Sequence, residues 1–122
     1  DIDVEKRPWP INNKLKSLIK GIVCINMIHI SPWSCTKALF EESKKILKGN
    51  HFLMLYGPFF RFDKETSESN LVFDQSLKSQ NLLWGIRQLE RVDEIAFEHG
   101  FEQEKIIEMP ANNLSVIYRL NS

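Results

Sequence analysis

Asn26 and His29 close an otherwise apolar run, "GIVCINMIHISPWSC", which extends from Gly21 to Cys35. An imidazole titrates near neutrality, so His29 can serve as a general base; equally, its ring can satisfy a neighbouring backbone carbonyl. The Asn26 carboxamide both donates and accepts, which suits it to a cofactor or a substrate amine. Trp33 follows the break at Ser31-Pro32 and could line a substrate pocket or serve as a core aromatic. Tyr56 precedes Gly57-Pro58 and could turn its hydroxyl towards a site or fill the sheet with its ring. Asn112 and Asn113, in "MPANN", could touch substrate, although asparagine tolerates the left-handed conformation and so suits a plain turn. Arg87 could hold an acidic group of a substrate or pair with Asp74. Asn26, His29 and Tyr56 share a place at the polar ends of candidate strands, and ligands of open α/β sheets sit beyond the carboxyl ends of the strands.

Other chemistries lack their signatures. The histidines, at 29, 51 and 99, have no paired metal spacing such as HExxH, and Cys24 and Cys35 form no CxxC. No GxSxG elbow and no P-loop occur. Cys24 and His29 are not a nucleophile pair, because an odd spacing along a strand points two side chains to opposite faces. The 16 basic residues equal the 16 acidic ones and are dispersed, which argues against nucleic acid as a partner. No apolar run approaches the ~20 residues of a membrane span, so no membrane partner is expected. With only 2 cysteines and no signal peptide, a reduced, cytoplasmic protein is expected.

The elements that must position these residues follow from the pattern. A chain of 122 residues makes one domain, 1–122, with enough length for a real core. "INNKLKSLIKG" is short and polar, a loop with one or two helical turns. Ile22, Val23, Cys24 and Ile25 have no polar residue between them, which predicts a strand from about Ile22 to Ile30, covered by helices on both faces. A helix follows, with Ser31 as its cap, Pro32 in its first position, and Gly49 and Asn50 as its stop. Cys35, Leu39, Ile46 and Leu47 fall on its inner side, with Glu41, Glu42, Lys44 and Lys45 mostly outward. "HFLMLYGPFF" supplies the next buried strand and completes a right-handed crossover. The polar stretch "RFDKETSESNLVFDQSLKSQN" is too long for a simple connection, so residues 61–84 read as an inserted loop or lid carrying Asn70, Asp74 and Trp84, with Arg87 beside it. "RQLERVDEIAFEHG" predicts a second helix with Leu89, Val92, Ile95 and Ala96 inward and Gly100 as its stop. "FEQEKIIEM" and "LSVIYRL" then form a hairpin around "PANN". The fold class is α/β.

This order resembles the second half of a class I S-adenosylmethionine-dependent methyltransferase. The motifs "PWP", "CINMIHISPW", "LYGPF", "SNLVFDQSLKSQNLLWGIR" and "MPANN" are similar to an uncharacterised methyltransferase-like family, the group that includes methyltransferase-like protein 26. The likeness runs from about Asp3 to Arg119, nearly the whole chain. It implies a partial Rossmann-like methyltransferase sheet, with the fourth to seventh strands present and the last one antiparallel. It also implies S-adenosylmethionine as cofactor, bound through Asp3 at the adenine and through Asn26. His29 would stand where methyl donor and acceptor meet, with Trp33, Tyr56, Arg87, Asn112 and Asn113 facing the acceptor. Asp3 keeps a plainer reading as a solvated acid.

The chain departs from that pattern in one respect. Its 5 glycines, at 21, 49, 57, 85 and 100, are never close together, so the glycine-rich cofactor loop is absent. The sequence opens on "DIDVEKRPWP" without an initiator Met, and a piece lacking the N-terminal glycine-rich half is expected to be inactive alone. A central-type apolar strand without its neighbour is a template for another chain. A homodimer, or a complex with a separate N-terminal half through the strand at 22–30, is therefore expected. The alternative is a non-catalytic interaction domain derived from the same fold.

Overall fold

The computed structural model describes residues 3–16 and 18–121. Leu53, Leu55, Val116 and Tyr118 are fully enclosed and alternate with less buried neighbours, the period-two mark of strands with one face in a core. The elements are α1 (Asn13–Lys16), β1 (Gly21–Ile25), α2 (Trp33–Ile46), β2 (Phe52–Gly57), α3 (Glu68–Gln80), α4 (Leu89–Glu98), β3 (Phe101–Met109) and β4 (Asn113–Leu120). They form a 4-stranded sheet in the order β1-β2-β4-β3. β1 runs parallel to β2, and β4 lies antiparallel between β2 and β3, so the last strand is antiparallel as expected.

The register aligns Ile22 with Leu53 and Cys24 with Leu55, and then Leu53 with Tyr118 and Leu55 with Val116. These residues make one continuous apolar face, which α2 and α4 cover. The Phe40 ring of α2 meets Tyr118 edge-on at 5.4 Å and Phe101 at 5.6 Å. Leu89, Val92, Ile95 and Ala96 of α4 are all buried, as their spacing predicts, and Gly100 ends that helix at φ 81°. The Tyr118 hydroxyl donates to Asp93 at 2.6 Å, and burial holds the Asp93 carboxyl above its usual range.

Several local expectations are corrected. β1 ends at Ile25 rather than Ile30, because Asn26 turns left-handed (φ 52°) while its N–H still donates to the Tyr56 carbonyl at 2.8 Å. A single 3₁₀ turn, Ile28–Ile30, follows. Nor is β1 covered on both faces: it is the edge strand, and Val23 and Ile25 are 50% and 63% exposed on the face away from α2 and α4. Pro32, not Ser31, takes the cap position of α2, and the Ser31 hydroxyl donates to the Met27 carbonyl instead. α2 stops at Ile46, and Asn50 (φ 70°) closes the following turn. Glu42 points inward and is buried, with its carboxylate 2.7 Å from Lys45 Nζ. Within 61–84 the chain forms a helix, α3, whose Ser67 cap accepts the Asn70 N–H.

Leu55→Ala removes side-chain volume from the centre of this face and is expected to cost about 2–5 kcal/mol. Val23→Thr, at the exposed edge, is expected to stay within about 0.5 kcal/mol. Urea unfolding of the two variants checks both values.

Candidate functional site

The left-handed turn at Asn26 swings the chain across the carboxyl end of β2, and the 3₁₀ turn then brings His29 back over Gly57. A Cβ at Gly57 would lie 3.3 Å from His29 Cε1, a tight contact, and 3.6 Å from Asn26 Oδ1, an ordinary one, so both side chains reach the same point above this glycine and His29 packs closely on it. His29 is buried, and the Phe73 ring of α3 packs on it at 5.6 Å with an interplanar angle of 62°. Burial lowers the His29 pKa, so the ring is neutral at pH 7. Among the described residues its nitrogens have no hydrogen-bond partner. A neighbouring carbonyl therefore does not account for it; its own backbone carbonyl accepts the Gly85 N–H at 3.1 Å.

Asp74 fastens this region to α3. One of its oxygens accepts the Ile86 N–H at 2.8 Å and the other pairs with Lys78 at 2.9 Å. Arg87 therefore does not pair with Asp74. Its Nη2 donates to the carbonyls of Ser31 at 2.9 Å and Leu83 at 2.6 Å, and its guanidinium lies 5.7 Å from the centre of the Trp33 ring. Burial pulls Arg87 below the usual arginine range, with Asp74 partly offsetting it. Arg87 and half-buried Trp33 thus brace the chain that carries His29.

The hairpin supplies the other side. Asn113 Nδ2 donates weakly to the Tyr56 hydroxyl at 3.4 Å, and Asn112 Nδ2 to Ser69 of α3 at 2.9 Å. Ala111 and Asn112 both lie at φ 61°, so the turn role anticipated for the asparagines holds for Asn112, whereas Asn113 is extended and opens β4. Asp3 is exposed, and its Oδ1 accepts the Glu5 N–H at 3.1 Å. Glu5 accepts from the Ser34 hydroxyl and the Cys35 thiol at the first turn of α2, and burial with this acid pushes Cys35 up to about 11. Both cysteines are free.

A groove of about 470 Å³ opens on the other side of the end of β2, between α3 and the hairpin. Phe59, Arg61, Asn70, Met109, Asn113 and Leu114 line it. Of the residues singled out from sequence, Asn70 of the insertion and Asn112 and Asn113 of the hairpin reach this groove, whereas Asn26 and His29 do not. Arg61 was not anticipated, and its signal was only its place just after the strand-ending "GPFF". α3 spans both regions, with Asn70 over the groove and Phe73 over His29, about one helical turn apart. No helix among the described residues is long and apolar enough to cross a membrane.

Sheet order, crossover and inserted last strand together define the second-half architecture of the methyltransferase fold. Human N-acetylserotonin methyltransferase, in complex with SAM, matches with a TM-score of 0.74 at 11% identity, over 84% of this chain and 30% of that one. CalO1, a methyltransferase in calicheamicin biosynthesis in its SAH-bound form, matches at 0.69 and 5% identity over 84% and 30%. A protein described as a pericyclic reaction enzyme matches at 0.71 and 12% identity over 84% and 26%. The chain spans under a third of each of these proteins, and likeness at such identities establishes the fold. Residues 1–120 match the family described as protein of unknown function (DUF938), and the chain belongs to that family.

A buried neutral His29 has a pH consequence. Below its ordinary value of 6.5 the unfolded chain binds a proton that the folded chain resists. Its contribution to stability is therefore complete above pH 6.5 and is lost as pH falls below that value. The His29 imidazole is expected to titrate below 6.5 by NMR, and His29→Gln to flatten the acid limb of a urea-midpoint profile. Identical limbs in both proteins would show that the ring protonates freely.

Proposed function

We propose that this chain is the acceptor-side half of an S-adenosylmethionine-dependent methyltransferase, grouped with methyltransferase-like protein 26. The observation that carries the reading is the convergence of Asn26 and His29 over Gly57 at the carboxyl end of a methyltransferase-type sheet. The residues present fit one edge of the cofactor. The Asn26 carboxamide is exposed and has no partner among the described residues, and Asp3 keeps its Oδ2 free for a ligand amine. Asn26 and Asp3 would hold that edge. When bound, the cofactor supplies an electrophilic methyl group.

This chain's own residues do the rest by positioning and proton transfer. His29, neutral at pH 7, takes the proton of an acceptor N–H or O–H. Arg87 stacks on Trp33 and holds the Ser31 and Leu83 carbonyls, which fixes the turn that aims His29. Tyr56, Asn112 and Asn113 frame the acceptor from the hairpin side. The glycine-rich half lies outside this sequence, so the chain alone is inactive in this reading. A separate N-terminal half, or a second copy, covers the β1 edge. Two free cysteines suit a cytoplasmic setting.

A second reading, a non-catalytic interaction domain, draws on the bare edge at Val23 and Ile25, and a shared fold does not fix a reaction. Calorimetric titration of S-adenosylmethionine, with light scattering for mass, separates the two. No heat is expected from the chain alone at millimolar ligand. Micromolar binding is expected once a polypeptide carrying a family member's glycine-rich half is added. Absence of heat in both, with a dimeric mass for the chain, would leave the interaction domain standing instead.

A further inference from the structure

The groove beside α3 contains a guanidinium without a close partner. The Arg61 side chain is only 16% exposed, yet its nearest carboxylate oxygens are 3.5 Å away on Asp63 and 3.9 Å away on Glu108. A largely buried arginine ordinarily sits in a bidentate pair at about 2.7–2.9 Å, because its planar fork matches two oxygens at once. Asp63 and Glu108 are themselves 65% and 77% exposed and approach loosely from the rim. Among the described residues no hydrogen bond fills the fork.

The surroundings specify what would fill it. Phe59 and Leu114 are buried apolar groups in the wall, enough to take a small ring or aliphatic body. Asn70 is also buried; its Nδ2 donates to the Asn112 carbonyl at 3.3 Å, and its Oδ1 has no partner among the described residues. Lys64 adds a cation at the rim, while Glu65 and Glu108 stand on the same rim and keep the net field near zero. Selection therefore rests on the Arg61 fork rather than on bulk charge. A volume of about 470 Å³ is in the range that encloses a small organic ligand.

We propose that this groove binds a small ligand bearing a carboxylate or phosphate, with the oxyanion on Arg61 and the apolar body against Phe59 and Leu114. On the methyltransferase reading, on which this step rests for its meaning, that group anchors the acceptor. The acceptor's reactive end then extends past Tyr56 towards His29, along the span that α3 bridges.

The test is an NMR titration of the intact chain with benzoate, inorganic phosphate and benzyl alcohol, following the Arg61 Nε–H and Asn70 Nδ2–H signals. Benzoate is expected to shift both saturably and to bind at least tenfold tighter than benzyl alcohol, which has the ring without the charge. Arg61→Gln is expected to weaken benzoate at least tenfold, with Arg61→Lys between the two. Phosphate binding tighter than benzoate would support the same fork and assign it to a phosphoryl group. The proposal is overturned if neither anion saturates, if benzyl alcohol matches benzoate, or if Arg61→Gln binds benzoate unchanged. Should Arg61→Gln fail to fold, the comparison of benzoate with benzyl alcohol on the wild-type chain decides. None of these measurements contains the cofactor, so failure here and failure of the methyltransferase reading remain distinguishable.

Discussion

The antiparallel entry of β4 beside β2 is the constraint on which the candidate site depends. A strand that ran parallel would present its carboxyl end there and leave the hairpin at the opposite side of the sheet. Because β4 runs the other way, Leu114 and Ser115 near its start lie beside Gly57 and Tyr56. The hairpin tip is thereby delivered to the carboxyl end of β2, where Asn26 and His29 already converge. Register holds it there. A slip of one residue would turn Leu53 and Leu55, both fully buried, onto the open face. Cross-strand pairs such as Leu53 with Tyr118 and Leu55 with Val116 add roughly 0.2–1 kcal/mol each in favour of the observed alignment.

α3 is attached differently. Its buried residues are Asn70, Asp74 and Leu77, while Leu71 and Val72 are 48% and 60% exposed. It is fixed by polar bonds: Asn70 to the Asn112 carbonyl, Asn112 to Ser69, and Asp74 to Ile86. An element held by few apolar contacts opens at less cost than one built into a core. The sheet thus fixes where the candidate site lies, and the helix above it is the more loosely held part.

The sequence made the inward residues of α4 legible, because its apolar positions repeat at helical spacing and their neighbours are charged. The hairpin was equally legible, since "MPANN" separates two strand-like runs and both Ala111 and Asn112 adopt left-handed angles. The convergence of Asn26 and His29 was visible only as a place, the end of an apolar run; it takes a left-handed turn at Asn26 and a close approach to Gly57 in another strand. Glu42 was misplaced because helical spacing cannot announce a buried carboxylate that has its own lysine one turn on. α3 escaped notice because its apolar residues, Leu71, Val72 and Phe73, are contiguous and trace no stripe. Arg61 was illegible for a deeper reason. Its significance is a missing partner, and that is a property of three-dimensional neighbours rather than of any pattern along the chain.

Two layers are the minimum for a buried sheet face, and α2 and α4 supply a second layer on only one side. On the other side Val23 aligns with Met54 and Met54 with Ile117, an apolar row that is partly exposed and ends at the bare β1 edge. Burying a valine or isoleucine side chain is worth about 1.5–3 kcal/mol relative to leaving it in water, so this row carries a real drive towards association. In the proposed reading the element that covers it also completes the cofactor site.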